Sequence, residues 1–225
     1  YLDSPRESPW GATQRAQKEG LEFGAAEYGA IDAYCREKGI AWFASAWDVD
    51  AQRFLRRYNL KYNKVASAML VKDDLLEEIA SEGRYTFIST GMSTWEEVDH
   101  AVDIFRKHNC PFALMHCNST YPMEDEDANL ALIPVLRERY GCEVGYSGHE
   151  RDIWPSVLSV AAGASSIERH ITLDKSMYGS DQKASIEPER LRTLVREVRR
   201  AEGILGSGEK SLSPAERAVR AKLRG

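Results

Sequence analysis

Short apolar runs recur along this chain, and a helix-like segment follows each of them. The six runs begin near residues 40, 62, 85, 112, 142 and 165. Runs of this length and composition are typical of strands buried on both faces. Their alternation with helices predicts a parallel α/β architecture.

Polar residues gather at the carboxyl ends of nearly all the predicted strands. A closed barrel brings such ends together at one mouth, whereas an open doubly wound sheet concentrates function at a single switch point. We therefore expect an α/β fold of the (β/α)8 TIM-barrel type. Since a barrel needs eight βα units and six are counted, we expect residues 1–225 to be one incomplete barrel domain lacking its first two units. We expect a missing segment or a partner chain to cover its apolar edge.

Composition narrows the classes of function. The chain has 225 residues, of which 43% are apolar and 29% charged, and its net charge is −5. It contains no apolar run long enough to span a membrane, no signal peptide and no concentrated basic surface, so we expect neither membrane nor nucleic-acid partners. Four cysteines without CxxC spacing favour a reduced, cytoplasmic protein. Among them, Cys117 is interpreted as a buried structural thiol rather than a ligand or nucleophile.

Two of the predicted strands lead into histidines. His149 ends Gly145–His149, and His170 ends Ser166–His170. Neighbouring parallel strands place both imidazoles at one edge, where they could bind Mn, Fe, Co or Zn. Glu168 and Asp181 could orient or complete this site, and His116 is either a third ligand or a substrate contact. The alternative is two histidines with separate structural partners.

Lys64 lies inside a strand made otherwise mainly of small and apolar residues. A buried lysine needs an anion or loses its proton, which indicates a phosphate or carboxylate ligand or a Schiff base. The alternative is a lysine that points outward from a strand end. Serines at similar depth on four strands would add a ring of neutral donors: Ser45, Ser67, Ser89 and Ser147. An anion site facing a metal and carbonyl site suits carbon–carbon bond formation between a phosphorylated enol and an aldehyde.

Seven motifs, in order along nearly the whole chain, resemble those of the sialic acid (N-acetylneuraminate) synthase family. They are Pro9–Gly11, Lys64–Ser67, Ile88–Met92, His116–Pro122, Gly145–His149, Glu168–Asp174 and Gly179–Ser185. The resemblance implies a (β/α)8 barrel and a transferase of nonulosonic acid biosynthesis. Such enzymes condense phosphoenolpyruvate with N-acetylmannosamine or a related acylamino sugar, giving a nine-carbon 2-keto acid and phosphate.

The resemblance also implies a role for each matching position. His149 and His170 would bind the metal, most often Mn²⁺, and Glu168 would lie beside the reacting carbons. The positions that would hold phosphoenolpyruvate are Lys64, Ser67, Ser89, Ser119 and Ser147, with Ser119 standing where the family often has Asn. Tyr121 and Asp181 would bind the acylamino sugar. We also expect a homodimer.

The chain departs from the family pattern at several positions. It begins after the family's first two strands, which carry an active-site Glu and a phosphate-binding Lys, and we expect no C-terminal antifreeze-like domain. Ala46, Met69 and Trp47 replace residues common in the family, which makes a diacetamido-dideoxy-hexose a rival to N-acetylmannosamine. Two alternatives stay open: a non-catalytic sugar-phosphate-binding barrel, and another metal-dependent barrel aldolase.

Overall fold

A computed structural model describes residues 1–224. Two antiparallel strands open the chain, β1 (Pro5–Ser8) and β2 (Gly11–Thr13), and five parallel strands follow: β3 (Asn63–Val65), β4 (Thr86–Ser89), β5 (Phe112–His116), β6 (Glu143–Gly148) and β7 (Ile167–Arg169). The helices are α1 (Gln14–Leu21), α2 (Ala25–Lys38), α3 (Val49–Arg56), α4 (Asp73–Ala80), α5 (Trp95–Lys107), α6 (Leu132–Tyr140), α7 (Trp154–Ala161), α8 (Pro188–Leu205) and α9 (Pro214–Arg224). Short 3-10 helices span Ser67–Met69 and Asp125–Ala128.

The parallel sheet has the order β3-β4-β5-β6-β7, so each strand pairs with the next strand along the chain. Its register sets Lys64 beside Phe87 and Ser147 beside Glu168. The α4, α5, α6 and α7 segments connect consecutive strands, as βαβ crossovers require. The result is a curled half-barrel, which confirms the predicted parallel α/β architecture.

The prediction of six strands is not confirmed, because the first apolar run does not form a strand. Of residues 40–45, only Ser45 pairs with the sheet, through a single parallel bridge to Lys64. The run instead packs through its side chains: Phe43 stacks on Phe87 with ring centroids 5.6 Å apart, and Trp42 joins the main core. The apolar residues Trp42–Ala44 are therefore explained by packing against the core and not by hydrogen bonds to a neighbouring strand.

Two local patterns in the sequence predict something different from the structure. The Pro-, Gly-, Ser- and Thr-rich composition of residues 1–15 predicts a loop, but they contain the β1–β2 hairpin, and Thr13 then caps α1 by accepting from the amide of Ala16. The pattern Ser93-Thr94-Trp95-Glu96 predicts a capping box that begins at Ser93, but the box of α5 begins at Thr94. There the Thr94 hydroxyl accepts from the Glu97 amide, and the Glu97 carboxylate accepts from the Thr94 amide.

The main core lies between the outer face of the sheet and the helices. Ile88, Leu114 and Val144 are fully buried on consecutive strands, and Leu76 and Phe105 cover them from α4 and α5. Each such side chain contributes about 1.5–3 kcal/mol by leaving water. This packing makes the sheet a rigid support for the residues at its carboxyl edge. None of the helices within residues 1–224 is both long and apolar enough to cross a lipid bilayer.

Candidate active site

A cavity of about 600 Å³ opens at the carboxyl edge of the sheet, which we call the mouth. Of the site residues that the family resemblance implies, all except Ser119 line it: Lys64, Ser67, Ser89, Tyr121, Ser147, His149, Glu168, His170 and Asp181. They converge because parallel strands end at the same edge and the turns after them face the same space. The register of the sheet thus unites residues that are more than 100 positions apart in sequence.

Lys64, Ser67 and Ser89 form one wall of the mouth, called here the lysine side. Lys64 is only 6% exposed, and its ammonium donates to Ser89 Oγ. The same ammonium lies 3.5 Å from Glu168 Oε1. Lys64 therefore faces the cavity rather than the solvent outside the sheet, and its charge is poised to meet an anion there.

Glu168 connects the lysine side to the last two strands. Its Oε1 accepts a 2.8 Å hydrogen bond from Ser147 Oγ in addition to its contact with Lys64. The Glu168 side chain is 38% exposed, so water and a small ligand can reach the carboxylate. A carboxylate and an ammonium thus stand at the centre of the mouth within reach of the same ligand.

Gly91 closes the turn after β4 at a crowded point. A Cβ built on it would lie 2.2 Å from Ser119 Oγ and 2.8 Å from both Cys117 Sγ and Ser67 Oγ. Its amide donates to Ser67 Oγ at 3.1 Å. Ser119 Oγ is buried and has no hydrogen-bond partner within residues 1–224, which marks it as a donor left free for something else.

Tyr121, His149, His170 and Asp181 form the opposite wall, the histidine side. The Nδ1 of His149 donates to the carbonyl oxygen of Asn118, which leaves Nε2 free to act as a ligand. Burial lowers the pKa of His149, and nearby His170 lowers it further, so that the ring stays neutral. The two imidazole centroids lie 5.2 Å apart, close enough for both rings to reach one ion bound about 2.1 Å from nitrogen.

The candidate metal site has two nitrogen ligands from the protein, one from His149 and one from His170. Within residues 1–224, no three His, Cys, Asp or Glu side chains are grouped to hold a metal ion. Nε2 of His116 instead bonds to the carbonyl of Ala128 at 2.8 Å, and Asp181 Oδ2 lies 3.8 Å from His170 Nδ1. Two imidazole ligands with open positions beside them fit a divalent transition metal that also binds water or substrate.

Sequence reasoning assigned no role to the buried pair of Glu150 and Arg169. Their side chains are 0% and 2% exposed, with Arg169 Nη1 2.8 Å from Glu150 Oε1. Arg169 also donates to the carbonyls of Asp152 at 2.7 Å and Ala184 at 3.3 Å. The pair follows one mouth histidine and precedes the other, so it joins the carboxyl ends of β6 and β7. The available signal was a charged residue directly beside each histidine, Glu150 after His149 and Arg169 before His170.

The departures from the family pattern fall into two groups. Ala46 and Met69 are buried in the main core, at 2% and 7% exposure, so they do not face the mouth directly. Trp47, by contrast, lines the cavity while more than half exposed. Met92, which belongs to the matching motif Ile88–Met92, does the same, so these two side chains form an apolar rim to the mouth.

Comparison with known proteins settles the relationship. The model of the NeuB family matches residues 4–210. The chain belongs to the NeuB family. N-acetylneuraminate-9-phosphate synthase of Mus musculus is 41% identical over 215 residues, covering 95% of this chain and 60% of the mouse protein. N,N'-diacetyllegionaminic acid synthase of Legionella pneumophila is 33% identical, covering 96% of this chain and 62% of the bacterial protein.

The solved structures agree with this assignment. The N-acetylneuraminic acid synthetase of Leptospira borgpetersenii, crystallised with citrate, superposes with a TM-score of 0.87 at 36% identity. The alignment covers 94% of this NeuB-family chain and 76% of that protein. The chain thus spans about 60% of the length of the curated relatives that it matches.

Proposed function

We propose that this NeuB-family protein condenses phosphoenolpyruvate with an N-acylated amino sugar to give a nine-carbon 2-keto sugar acid and phosphate. The observation that carries the proposal is the pairing of two chemistries in one cavity. A buried ammonium bonded to Ser89 and lying beside Glu168 shares the mouth with the imidazoles of His149 and His170.

The lysine side suits the anionic substrate. Phosphoenolpyruvate carries a carboxylate and a phosphate, and Lys64 offers a positive charge in a site with little competing water. Ser67, Ser89 and Ser119 add hydroxyl donors, and the unpartnered Ser119 hydroxyl gains a bond when an anion oxygen arrives. Hydrogen bonds to charged groups are the stronger kind, so this wall supplies much of the affinity.

The histidine side suits the aldehyde of the open-chain sugar. A divalent metal, for which we propose Mn²⁺, would be held by His149 and His170 and would supply Lewis-acid polarisation of the carbonyl oxygen. Burial and the neighbouring charges of Cys117, Asp181 and Glu168 raise the pKa of Tyr121 to about 12. Tyr121 therefore keeps its proton and can donate to the sugar, while Asp181 accepts from a sugar hydroxyl or amide.

The bond changes follow from this placement. C3 of phosphoenolpyruvate attacks the aldehyde carbon, which forms the new carbon–carbon bond and leaves a cationic C2. Water adds at C2 and loses one proton to Glu168, whose carboxylate lies beside Lys64 in the mouth, and this proton is returned to the alkoxide that forms from the aldehyde oxygen. The tetrahedral intermediate then collapses to the C2 ketone as the bond between C2 and the phosphate oxygen breaks, and the proton of the C2 hydroxyl leaves with the phosphate.

The acceptor belongs to one of two classes of amino sugar. The mouse relative is named for a phosphorylated neuraminate and the Legionella relative for a diacetylated legionaminate. We propose N-acetylmannosamine, free or phosphorylated, or a diacetamido-dideoxy-hexose. The apolar rim at Trp47 and Met92 gives an N-acetyl methyl group a surface to pack on.

We further propose that the protein acts as a cytoplasmic homodimer. All four cysteines are free thiols, as expected in a reducing compartment. The sheet ends at β3, apart from the bridge to Ser45, and at β7, with no further strand paired within residues 1–224. Bare sheet edges favour pairing with another chain. Light scattering on the full-length protein would give the mass, and a monomer would count against the dimer.

The test of the activity is phosphate release. The full-length protein is incubated with phosphoenolpyruvate, Mn²⁺ and each candidate sugar, with a metal-chelated reaction alongside. We expect release with at least one sugar and loss of release on chelation. Absence of release with every sugar would contradict the proposal, and retained binding of phosphoenolpyruvate in that case would indicate a binding protein.

A further inference from the structure

Tyr178 lies on the loop between β7 and α8, far in sequence from the residues that hold it. Its hydroxyl accepts a 3.0 Å hydrogen bond from Gln17 Nε2 of α1 and donates to the carbonyl of Glu7 in β1 at 3.2 Å. Gln17 is itself buried, at 8% exposure. Two segments more than 150 residues away along the chain therefore fix one hydroxyl of this loop.

Trp10 adds an apolar contact to the same point. Its ring meets Tyr178 edge to face, with centroids 6.0 Å apart and an interplanar angle of 78°. The other neighbour of Trp10 is Gly20 of α1, where a Cβ would lie 2.1 Å from Trp10 Cγ. The indole thus fits between α1 and Tyr178 only because residue 20 has no side chain. We call Trp10, Gln17 and Gly20 the N-terminal clamp.

The clamp acts close to Asp181. The carbonyl of Tyr178 accepts from Gln182 Nε2 at 3.2 Å, and the carbonyl of Asp181 accepts from the amides of Ala184 and Ser185, each at 3.0 Å. These bonds fold residues 178–185 into one compact unit. A shift of Tyr178 is therefore transmitted to Asp181, whose carboxylate lines the mouth on the histidine side.

The middle of this loop has few buried anchors, although its end at residues 184–186 is buried. Leu173 and Met177 are 81% and 52% exposed, and the hydrogen bonds of Lys175 to Glu187 and Arg151 lie on the surface. Segments with few buried contacts open easily, and their position depends on the few bonds that they make. Three contacts from outside the loop hold Tyr178: the Trp10 ring, Gln17 Nε2 and the carbonyl of Glu7.

We propose that Tyr178, held by the N-terminal clamp, is a positioning residue that places Asp181 and thereby sets the affinity for the acylamino sugar. The inference rests on the proposed function for the identity of that ligand. Lys64 stands on β3, Ser89 on β4 and Ser67 in the 3-10 helix after β3. The hydrogen bond and ring contact of the clamp do not reach these elements. Loss of the clamp should therefore weaken sugar binding and leave phosphoenolpyruvate binding unchanged.

Two variants test the clamp from opposite sides. Tyr178→Phe removes both hydrogen bonds of the hydroxyl but keeps the ring, and Gly20→Ala displaces Trp10 but keeps the hydroxyl. Gly29→Ala is the matched control, because Gly29 also lies in a helix but has no atom within 4 Å of a built Cβ. We expect each test variant to raise the KM for the sugar by about 3- to 10-fold, the worth of one hydrogen bond, with the KM for phosphoenolpyruvate within about 2-fold.

A second readout does not depend on activity. Lys175 and Lys183 flank Tyr178 in the loop and are sites for trypsin. We expect faster cleavage at these two lysines in Tyr178→Phe and Gly20→Ala than in the parent protein and Gly29→Ala.

The outcomes separate the two proposals. Unchanged sugar KM and unchanged cleavage in both test variants would overturn the clamp while the synthase activity stands. An equal rise in both KM values would also overturn it, since that indicates general damage. If the parent protein turns over no sugar, the proposed function fails, and the cleavage rates still decide whether the clamp holds the loop.

Discussion

The two walls of the mouth are built in different ways. Lys64 and Ser89 of the lysine side belong to strands and are 6% and 3% exposed. On the histidine side, Tyr121 is 42% exposed, and His170 and Asp181 lie beyond the end of β7 with partly exposed side chains. One wall is part of the rigid sheet, and the other is carried largely by loops.

This difference suits what each wall has to recognise. We propose that the lysine side binds phosphoenolpyruvate, the same substrate whatever the sugar, and strand residues hold such a site without ordering cost. The sugar differs among the relatives, which are named for different nonulosonic acids. Loops accept changes of sequence more readily than strands do. We therefore expect the sugar, which differs among the relatives, to be bound by the loops of the histidine side.

The largest effect should come from removing Glu150, which lies behind the histidine side. Glu150→Ala leaves the buried Arg169 guanidinium without its carboxylate, and breaking a buried pair in this way costs about 3–5 kcal/mol. Denaturant unfolding would measure the loss. Glu202→Ala is the control, because its pair with Arg199 is exposed and should contribute under about 1 kcal/mol. A loss no larger than that of the control would mean that the pair does not support this wall.

The next largest effect tests whether the histidine side binds the metal ion independently of phosphoenolpyruvate binding by the lysine side. His170→Ala should weaken Mn²⁺ binding at least about 100-fold, because only two protein nitrogens are available and second-shell losses alone reach that size. Titration calorimetry with Mn²⁺, and separately with phosphoenolpyruvate in chelated buffer, would show this. His100→Ala is the control, since His100 contacts Asp73 on the surface. Unchanged metal affinity in His170→Ala would remove the metal pair from the proposal.

The reciprocal change is Lys64→Met, which keeps an unbranched side chain one atom shorter and removes the charge. Hydrogen bonds to charged groups contribute about 1.5–3 kcal/mol, so the Kd for phosphoenolpyruvate should rise about 10- to 100-fold. Mn²⁺ affinity should stay the same. An equal loss for both ligands would show that the two walls are one coupled site, contrary to their separate construction.

A smaller effect concerns the support beneath Lys64. Four side chains hold the Glu82 carboxylate: Gln52, Arg56, Asn63 and Arg84. Burial alone would raise the pKa of Glu82, but these donors and charges outweigh it and lower the pKa below its ordinary value of 4.5. The stabilisation is therefore complete above about pH 4.5 and is lost as the pH falls through the lower, folded-state pKa.

Glu82→Gln tests this support at the strand of the lysine side. The variant should lose about 1–3 kcal/mol of unfolding free energy at neutral pH, because an amide replaces a buried charge that accepts several bonds. Its stability should also fall less steeply than that of the parent protein below pH 4.5. Denaturant midpoints from pH 3 to pH 7 would compare the slopes, and parallel curves would show that Glu82 does not titrate as described.

The difference between strand residues and loop residues also explains which parts of the site could be predicted from the sequence. Lys64, Ser89 and His149 could be placed at one edge because strand ends in a parallel sheet converge, whatever the details of packing. The contact of Trp10 with Tyr178 could not, since it joins segments about 170 residues apart and no local pattern records it. The failed strand at residues 40–45 has a related cause: apolar composition reports burial but does not identify a hydrogen-bonding partner.

The smallest expected effect lies at Ser119, whose hydroxyl lies against Gly91 in the turn after β4. Because its hydroxyl is buried without a partner, Ser119→Ala removes no bond of the free protein, and the unfolding free energy should stay within about 0.5 kcal/mol of the parent value or rise. Binding of phosphoenolpyruvate should nevertheless weaken about 3- to 10-fold, the worth of one hydrogen bond formed only with the ligand. Calorimetric unfolding and ligand titration on the same sample would give both values. A destabilised variant with unchanged affinity would show that the hydroxyl supports the fold and does not bind phosphoenolpyruvate.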